Sequence, residues 1–351
     1  MDKNINKEKV YEVLRSVMDP ELNKDLVSLG MIKDVEVSNQ VVKVTVELTT
    51  PACPLKKKIE DDVRNAIAKI PGVDKVEVTM TARVAADHQL QEKFNVNIKN
   101  IIAVASGKGG VGKSTVAVNL AVALANTGAK VGIMDADIYG PNIPTMMGIR
   151  TLPNPVNKKI IPALAHDIKL ISIGFLVKDG QPLIWRGPLL HSTIKQFLTD
   201  VDWGELDYLI VDLPPGTGDV QLSLSQHIPV TCGVIVTTPQ KVSLDDASRG
   251  VEMFIKLNIP IAGIIENMGS MQMPDGQIID VFGEGGGEKM AEMYGLPFLG
   301  RIPLDPQIRI FGDSGTPIVN SNPLSIPAKK FNQMACQVAA YISEKNIKES
   351  T

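Results

Sequence analysis

The apolar positions follow two different patterns along the chain. In the first 84 residues, apolar and polar positions alternate over residues 35–48, which predicts a β-hairpin with one solvent-exposed face. Helical spacing marks residues 8–17 and 55–70, and a further strand is predicted over residues 73–80. This stretch predicts a small α+β domain, of about the smallest size that folds alone.

Beyond residue 97 the predicted strands are continuous apolar runs. They lie at residues 101–105, 131–134, 209–211 and 233–236, and helices are predicted at residues 114–126 and 331–342. Strands that are apolar on both faces and separated by helices indicate an α/β fold with a mostly parallel sheet flanked by helices. Because residues 85–93 are polar and weakly periodic, we predict domains at residues 1–84 and 97–351 and a linker at residues 85–96.

Charge and composition argue against several classes of protein. The 351 residues carry 36 Lys and Arg against 39 Asp and Glu, which does not suit a protein that coats nucleic acid. The N-terminus lacks the apolar core of a signal peptide, and no apolar run has the length of a membrane span, so we expect a cytoplasmic protein without a membrane partner. The three cysteines, Cys53, Cys232 and Cys336, have no paired spacing that would predict disulfides or a zinc ribbon.

The strongest chemical signal is a glycine-rich segment between the first strand and first helix of the second domain. It reads SGKGGVGKST from Ser106 to Thr115. Such glycines let several backbone N–H groups point at one anion, and the following helix adds the positive end of its dipole. We predict that Lys113 neutralises phosphate charge of ATP and that Ser114 binds the accompanying Mg²⁺. The predicted nucleotide-binding residues of this P-loop are Gly107, Lys108, Gly109, Gly110, Val111, Gly112, Lys113, Ser114 and Thr115.

Two acidic residues beyond strand ends complete the predicted site. Asp212 directly follows the apolar run at residues 209–211 and is expected to hold the magnesium through a water molecule. Asp137 stands two residues past the end of another strand, where it can orient or deprotonate the water that attacks the γ-phosphate. The alternative for Asp137 is a turn or capping residue. Asp219, in a loop after two glycines, is either part of a switch segment or a helix N-cap.

A dinucleotide-binding oxidoreductase is the competing interpretation of the same glycines. Gly107, Gly109 and Gly112 also satisfy G-x-G-x-x-G, and Asp135 lies where a ribose-binding acid would belong. A pyrophosphate held by backbone N–H groups needs neither a lysine nor a hydroxyl. The pair Lys113 and Ser114 therefore favours a nucleoside triphosphate with magnesium.

The loop contains a second lysine, Lys108, whereas an ordinary P-loop needs only the lysine at its end. This residue narrows the class of P-loop protein to which the chain can belong. The form GKGGVGKST resembles the deviant P-loop of MinD/ParA-type ATPases. That resemblance implies that Lys108 reaches across a dimer interface to the partner's nucleotide, and that ATP binding drives homodimerisation. Lys108, Lys113 and Asp137 are then the catalytic residues.

Within that class, four blocks in order resemble the Mrp/ApbC family. They begin at Asp135 (DADIYGPNIP), Trp185 (WRGP), Trp203 (WGELDY) and Asp212 (DLPPGTGD). Members of that family carry iron–sulfur clusters and need their ATPase activity to deliver them. The resemblance implies slow ATP hydrolysis and partners that are iron–sulfur scaffolds or apoproteins. It also implies that Asn267 and Pro303 contact adenine.

The N-terminal domain resembles the cluster-assembly domain of SufT- and PaaD-like proteins. The similar segments begin at Asp19 (DPE), Asp25 (DLVSLG) and Thr49 (TTPACP). Cys53 precedes a proline that suits the first position of a helix, and three lysines follow at residues 56–58; both features favour the thiolate. Cys53 is therefore a candidate iron–sulfur ligand, and the alternative is an inert cysteine at the helix end.

One departure from the carrier family concerns the cluster itself. By resemblance, relatives have a Cys-x-x-Cys after the Asn-Met of the adenine segment, and two subunits together hold one cluster with four thiolates. Met273 and Gly276 stand at those positions in this chain. Thioethers are weak iron ligands and glycine offers none. We expect that bridging site to be absent, and a bound cluster to use Cys53 with help from a second subunit, a partner or a small thiol.

The sequence thus favours an ATP-hydrolysing homodimer that binds or helps transfer iron–sulfur clusters, either as a carrier or as a cluster-free adaptor. A MinD/ParA-type positioning ATPase, which binds DNA or a membrane, is the alternative from another class. Against it stand the acidic charge, the WRGP block, the fused assembly domain and the lack of a basic amphipathic C-terminal helix.

Overall fold

The computed structural model describes residues 5–20, 22, 24–87, 90, 96–176, 187–273 and 275–350. The chain forms two compact units, one made of residues 1–85 with 339–351 and the other of residues 86–338. Within the described residues, no helix is both long enough and apolar enough to cross a lipid bilayer.

The smaller unit is built on a three-stranded sheet and two helices. Its elements are α1 (Lys7–Leu14), β1 (Met18–Asp19), β2 (Lys24–Asp25), β3 (Ile32–Ser38), β4 (Val41–Leu48), α2 (Lys56–Ala68) and β5 (Lys75–Ala82). Strand β4 pairs antiparallel with β3 and parallel with β5. Every second residue of β4 from Val42 to Leu48 is buried, and these side chains share one core with the buried faces of α1 and α2. The predicted small α+β domain is confirmed.

The larger unit contains an eight-stranded sheet. Its first elements are β6 (Ile98–Ser106), α3 (Lys113–Ala125), β7 (Val131–Asp135), α4 (Ile143–Met146), β8 (Ala163–Ala165), β9 (Ile168–Ser172), a 3₁₀ turn (Ile173–Leu176), α5 (Gly187–Thr199) and β10 (Leu206–Asp212). They are followed by α6 (Asp219–His227), β11 (Cys232–Thr237), α7 (Lys241–Lys256), β12 (Ile261–Gly269), β13 (Met271–Gln272), β14 (Ile278–Ile279), α8 (Gly286–Tyr294), β15 (Phe298–Pro303), α9 (Pro306–Asp313), α10 (Ile318–Ser321) and α11 (Ile326–Ser350). Helix α11 belongs to the larger unit up to residue 338 and to the smaller unit from residue 339.

The strand order of this sheet is β15-β12-β11-β6-β10-β7-β9-β8. All neighbours run parallel except β8, which is antiparallel to β9 at one edge. The predicted mostly parallel sheet with helices is confirmed. Because β6, β7 and β10 lie side by side, their carboxyl ends meet at one edge, which is where parallel sheets place their ligand sites.

Four strands of this sheet were not predicted from the apolar pattern, among them the three-residue edge strand β8. Strand β9 is short, β12 ends in the polar residues Glu266 and Asn267, and β15 contains Arg301 and Pro303. Polar side chains at the ends of β12 and β15 interrupt the continuous apolar runs by which buried parallel strands are recognised in a sequence. The same polar residues prove important at the functional site.

Candidate functional site

The glycine-rich loop connects β6 directly to α3. Gly112, at the N-cap of α3, has a φ of +84°, and a Cβ there would lie 2.1 Å from the side-chain nitrogen of Asn267. A Cβ at Gly107 would lie 2.1 Å from the backbone carbonyl carbon of Asp246 in α7. Both positions accept only glycine in this packing, so the loop conformation depends on its glycines.

A cavity of about 310 Å³ opens over this loop. The predicted residues that line it are Lys108, Gly109, Gly110, Gly112, Lys113, Ser114, Thr115 and Asp137. Gly107, Val111 and Asp212 do not line it, and Pro303 lines a second cavity of about 890 Å³. The structure thus gathers one predicted carboxylate and most of the P-loop residues around a space that suits phosphate groups.

Lys113 lies at the centre of a buried cluster of charges below the cavity. Its Nζ lies 2.7 Å from Oδ1 of Asp212 and 3.3 Å from Oδ2 of Asp137. Ser114 donates a hydrogen bond of 2.5 Å from Oγ to Oδ2 of Asp212. Lys113 is only 5% exposed and Asp212 is fully buried. The two residues predicted to meet phosphate and magnesium are therefore held by the same carboxylate.

Asp135, at the end of β7, ties the surrounding loops together. Its Oδ1 accepts a hydrogen bond from the backbone N–H of Asp137 at 3.2 Å. Its Oδ2 accepts from Oγ of Ser172 at 2.9 Å and from the backbone N–H of Ile143 at 3.3 Å. Asp135 is opposite Asp212 in the pairing of β7 with β10. Asp135 is buried, and its hydrogen bonds shape the segment that carries Asp137. Its role is therefore structural, and it does not act as the ribose ligand that a dinucleotide-binding site would need.

Burial shifts the protonation of these acids. Burial, reinforced by the charge of Asp212, raises the pKa of Asp135 to about 8. Burial also raises the pKa of Asp212, against the opposing effect of Lys113. For Lys113, burial acts to lower the pKa of the ammonium, but Asp212 and Asp137 outweigh it and raise that pKa. At neutral pH the cluster therefore favours a protonated Asp135 beside the close contact of Lys113 with Asp212.

We expect the Asp135→Asn variant to lose a pH dependence of stability that wild type shows. A folded-state pKa near 8 against 3.8 in the unfolded chain means that the folded protein binds the extra proton between these values. Stability from this group is thus full at low pH and declines as pH rises towards 8, with a slope of at most about 1.4 kcal/mol per pH unit. Denaturant unfolding at several pH values measures it. The exposed Asp245→Asn variant is the control, and equal slopes in wild type and Asp135→Asn would refute the assignment.

Lys108 lies at the lip of the cavity and is partly exposed. Its carbonyl oxygen accepts a hydrogen bond of 2.9 Å from Oγ of Ser106. Within the part of the chain that the structure describes, its ammonium makes no ion pair. Sequence reasoning missed a neighbour, Tyr139, which also lines the cavity although it is 69% exposed. Its backbone N–H donates to Oδ1 of Asp137 at 3.0 Å, so its position two residues after Asp137 was the available signal.

Asn267 is attached to the P-loop itself. Its Nδ2 donates a hydrogen bond of 2.8 Å to the carbonyl oxygen of Val111, and the residue is buried. Pro303 ends β15 opposite Gly269 of β12. The two residues expected to contact adenine therefore stand on neighbouring strands, Asn267 at the P-loop and Pro303 at the adjacent larger cavity.

The three cysteines lie apart. Cys53 is partly buried, and its carbonyl oxygen accepts a hydrogen bond of 3.3 Å from the N–H of Lys56. Helix α2 begins at Lys56, not at the proline after Cys53, because residues 53–56 form a turn first. Cys232 is buried in β11 and Cys336 is partly buried in α11. In the described ranges, no three His, Cys, Asp or Glu side chains are arranged to hold a metal ion.

Some residues of the resembling blocks lie outside the described residues. These are Glu21, Trp185 and Arg186. The side chains of Pro188 and Asp219 also lie outside the described residues. Helix α6 begins at Asp219 and its N-cap is Gly218, so the prediction of Asp219 as an N-cap is wrong, and its place in a switch segment stays a prediction.

Comparison with known protein families gives two matches along the chain. Residues 97–339 match the family model described as NUBPL iron-transfer P-loop NTPase, and residues 7–80 match that of iron–sulfur cluster assembly proteins. The chain is 52% identical over 343 residues to an iron-sulfur cluster carrier protein of Synechocystis sp., covering 95% of this chain and 97% of that protein.

Solved structures also resemble the chain, among them these two. A nucleotide-binding protein from Archaeoglobus fulgidus in complex with ADP is 38% identical, with a TM-score of 0.57, over 66% of this chain and 92% of that one. The cell division ATPase MinD from Pyrococcus furiosus is 24% identical, with a TM-score of 0.52, over 72% of this chain and 99% of that one. The second likeness shows the fold alone.

Proposed function

The chain belongs to the family of NUBPL-type iron-transfer P-loop NTPases, and from this we propose that it binds and slowly hydrolyses ATP with Mg²⁺ as a homodimer that helps transfer iron–sulfur clusters to apoproteins. We also propose a cytoplasmic protein with domains at residues 1–84 and 97–351. These limits enclose both ranges that match family models.

The arrangement of Lys113, Ser114 and Asp212 carries the nucleotide part of this proposal. A cation, a hydroxyl and a carboxylate oxygen lie within 3.5 Å of one another below the P-loop. Oxygen ligands of this kind suit Mg²⁺, which would neutralise charge on the β- and γ-phosphates when bound. Ser114 would bind the ion directly and Asp212 would hold it through a water molecule. Lys113 would then exchange its carboxylate partners for phosphate oxygens.

That exchange sets Asp137 free for its proposed catalytic role. In this structure Oδ2 of Asp137 faces Lys113 and Oδ1 accepts from the N–H of Tyr139. Once Lys113 turns to phosphate, Oδ2 can accept a proton from water or orient it for attack on the γ-phosphate. The same carboxylate thus keeps Lys113 paired before ATP arrives and serves hydrolysis afterwards.

The proposed homodimer rests on Lys108. By the family resemblance it acts on the partner's nucleotide. Its partly exposed position at the cavity lip, without an ion-pair partner among the described residues of its own chain, supports that role. The exposed Tyr139 stands at the same lip and offers an aromatic surface for the second subunit.

The cluster part of the proposal concerns Cys53. The chain has no Cys-x-x-Cys, and no group of three ligands is assembled among the described residues. Any cluster at Cys53 must therefore be completed by a second subunit, a partner or a small thiol. The lysines at residues 56–58, in the first turn of α2, favour the thiolate electrostatically.

Anaerobic reconstitution tests this part. The chain is incubated with ferrous iron, sulfide and glutathione, and iron per chain and the visible absorption spectrum are measured. We expect wild type and the Cys336→Ala control to acquire a cluster and Cys53→Ala to acquire none. Retention of the cluster by Cys53→Ala refutes Cys53 as a ligand. No cluster in wild type, together with Mg²⁺-dependent phosphate release from ATP, would favour the cluster-free adaptor ATPase.

A further inference from the structure

Strand β12 contains a bulge beside the P-loop. Glu266 pairs with Arg301 and Gly269 pairs with Pro303. The segment of β12 between these pairs is therefore one residue longer than the opposite segment of β15. Within the bulge, Met268 has a φ of +57°, a left-handed conformation that is strained for a residue with a side chain. The bulge turns Asn267 to the P-loop, where its amide donates to Val111.

Arg301 contacts the first residue of this bulge, Glu266. Its Nε donates to Oε1 of Glu266, a fully buried carboxylate. Glu266 also accepts from the backbone N–H groups of Gly285 at 3.1 Å and Gly287 at 2.6 Å. A buried carboxylate is stable only when such donors compensate it, and Arg301 supplies the positive charge.

Arg301 also contacts the last residue of the bulge, Gly269. A Cβ at Gly269 would lie 2.7 Å from both Cγ and Cδ of Arg301, so the arginine stem lies directly against that glycine. Its Nη1 lies 2.5 Å from Oε1 of Glu284. Glu284 in turn accepts a hydrogen bond from Oγ of Ser270, the residue after Gly269. One side chain therefore contacts both ends of the strained segment.

Backbone strain persists only where the surroundings over-determine it, and it concentrates at functional sites. The family resemblance implies that two residues here contact adenine: Asn267 lies within the strained segment, and Pro303 lies opposite its end. Arg301 stands two residues before Pro303 on β15. The same arginine thus controls the position of one proposed base contact and the strand that carries the other.

We propose that Arg301 is a positioning residue for the nucleotide base: by holding Glu266, Gly269 and Glu284 it keeps the bulge in the shape that directs Asn267 to the P-loop. This inference rests on the proposed function, because it assumes that ATP is the ligand. Arg301 itself contacts neither phosphate nor base in this role. Its loss therefore affects recognition of the base and spares recognition of the phosphates.

The test compares two ligands that share phosphates and differ in the base. Dissociation constants for ATP and for inorganic tripolyphosphate, both with Mg²⁺, are measured by calorimetry for wild type, Arg301→Gln and Arg301→Lys. We expect Arg301→Gln to weaken ATP binding by about tenfold or more, since small displacements of positioning groups have effects of this order. Binding of tripolyphosphate stays within about twofold, and Arg301→Lys, which keeps the charge but not the fork, falls between.

Arg301→Gln leaves the buried Glu266 without its cation, which can prevent folding. A second variant therefore tests the same network without removing that cation. Glu284→Gln cuts only the outer arm of the network and leaves the buried pair of Arg301 and Glu266 in place. We expect it to shift ATP affinity in the same direction by about two- to fivefold. The matched control is Arg309→Gln, which removes an exposed pair of Arg309 with Asp313 at 2.8 Å and has no expected effect on either ligand.

The outcomes separate this inference from the proposed function. Equal affinities of wild type, Arg301→Lys and Glu284→Gln for ATP overturn the positioning role. An equal loss for ATP and tripolyphosphate also overturns it, because that result indicates damage to the P-loop. Wild type that binds neither ligand overturns the proposed function itself.

Discussion

Replacing Lys113 with alanine abolishes ATP binding and, in the same variant, destabilises the nucleotide-free protein. The first effect is expected because Lys113 is the cation that meets phosphate in the cavity. The second follows from the buried pair of Lys113 with Asp212, since removing one partner of a buried ion pair costs about 3–5 kcal/mol. Calorimetry with ATP and denaturant unfolding without nucleotide measure the two effects, and the exposed Lys195→Ala is the control.

A double variant separates these effects. Asp212→Asn removes the carboxylate that Lys113→Ala leaves unpaired, so we expect Lys113→Ala with Asp212→Asn to recover most of the lost stability. It should still fail to bind ATP. The stability deficit of the single variant should also shrink as pH falls, because burial favours the protonated form of Asp212. ATP affinity like that of wild type in Lys113→Ala would refute the P-loop assignment, and unchanged stability would refute the charge cluster.

Replacing Lys108 with alanine leaves ATP binding within about threefold of wild type but lowers hydrolysis by about a thousandfold. Cations supplied in trans to a transferring phosphoryl group have effects of that size. Both lysines line the cavity, but Lys108 is partly exposed whereas Lys113 is only 5% exposed, so binding depends chiefly on Lys113. Phosphate release measures hydrolysis, and light scattering with a non-hydrolysable ATP analogue measures dimerisation, which should be lost in this variant.

Mixing two inactive variants tests whether Lys108 acts in trans. A subunit with Lys108→Ala can bind ATP, and a subunit with Lys113→Ala and Asp212→Asn can supply Lys108. If the lysine crosses the interface, the mixture hydrolyses ATP although neither variant does so alone, with chemical cross-linking to stabilise the mixed dimer. No activity in a cross-linked mixed dimer contradicts action in trans, and full activity of Lys108→Ala alone removes the lysine from catalysis.

The P-loop was readable from sequence because its function depends on local chemistry. Glycines that permit a tight turn, a lysine and a hydroxyl residue must follow one another within a few residues, so their spacing alone carries the information. The same holds for the parallel sheet, whose central strands β6, β7, β10 and β11 are continuous apolar runs. The position of Asp212 directly after such a run is sufficient to predict that it lies near the loop.

The Arg301 network could not be found in this way. Glu266 and Arg301 are 35 residues apart, and Glu284 lies in a connection between them. Each is an ordinary charged residue in its own sequence context, with no periodicity or motif to distinguish it. The helix start at Lys56 was likewise decided by a turn at residues 53–56, whose backbone hydrogen bond outweighed the preference of proline for a first helical position.

The sequence by itself determined the main elements of the small domain, the central strands of the large sheet, where the phosphate loop turns, and which side chains of that loop can meet phosphate. Only the tertiary structure decided which distant charges share a buried space. Pairing of Lys113 with Asp212 and Asp137, protonation of Asp135 and the hold of Arg301 on the bulge all depend on strand order and burial. The physical reason is that propensity and periodicity act over a few residues, whereas desolvation and charge pairing depend on neighbours that are distant in the chain.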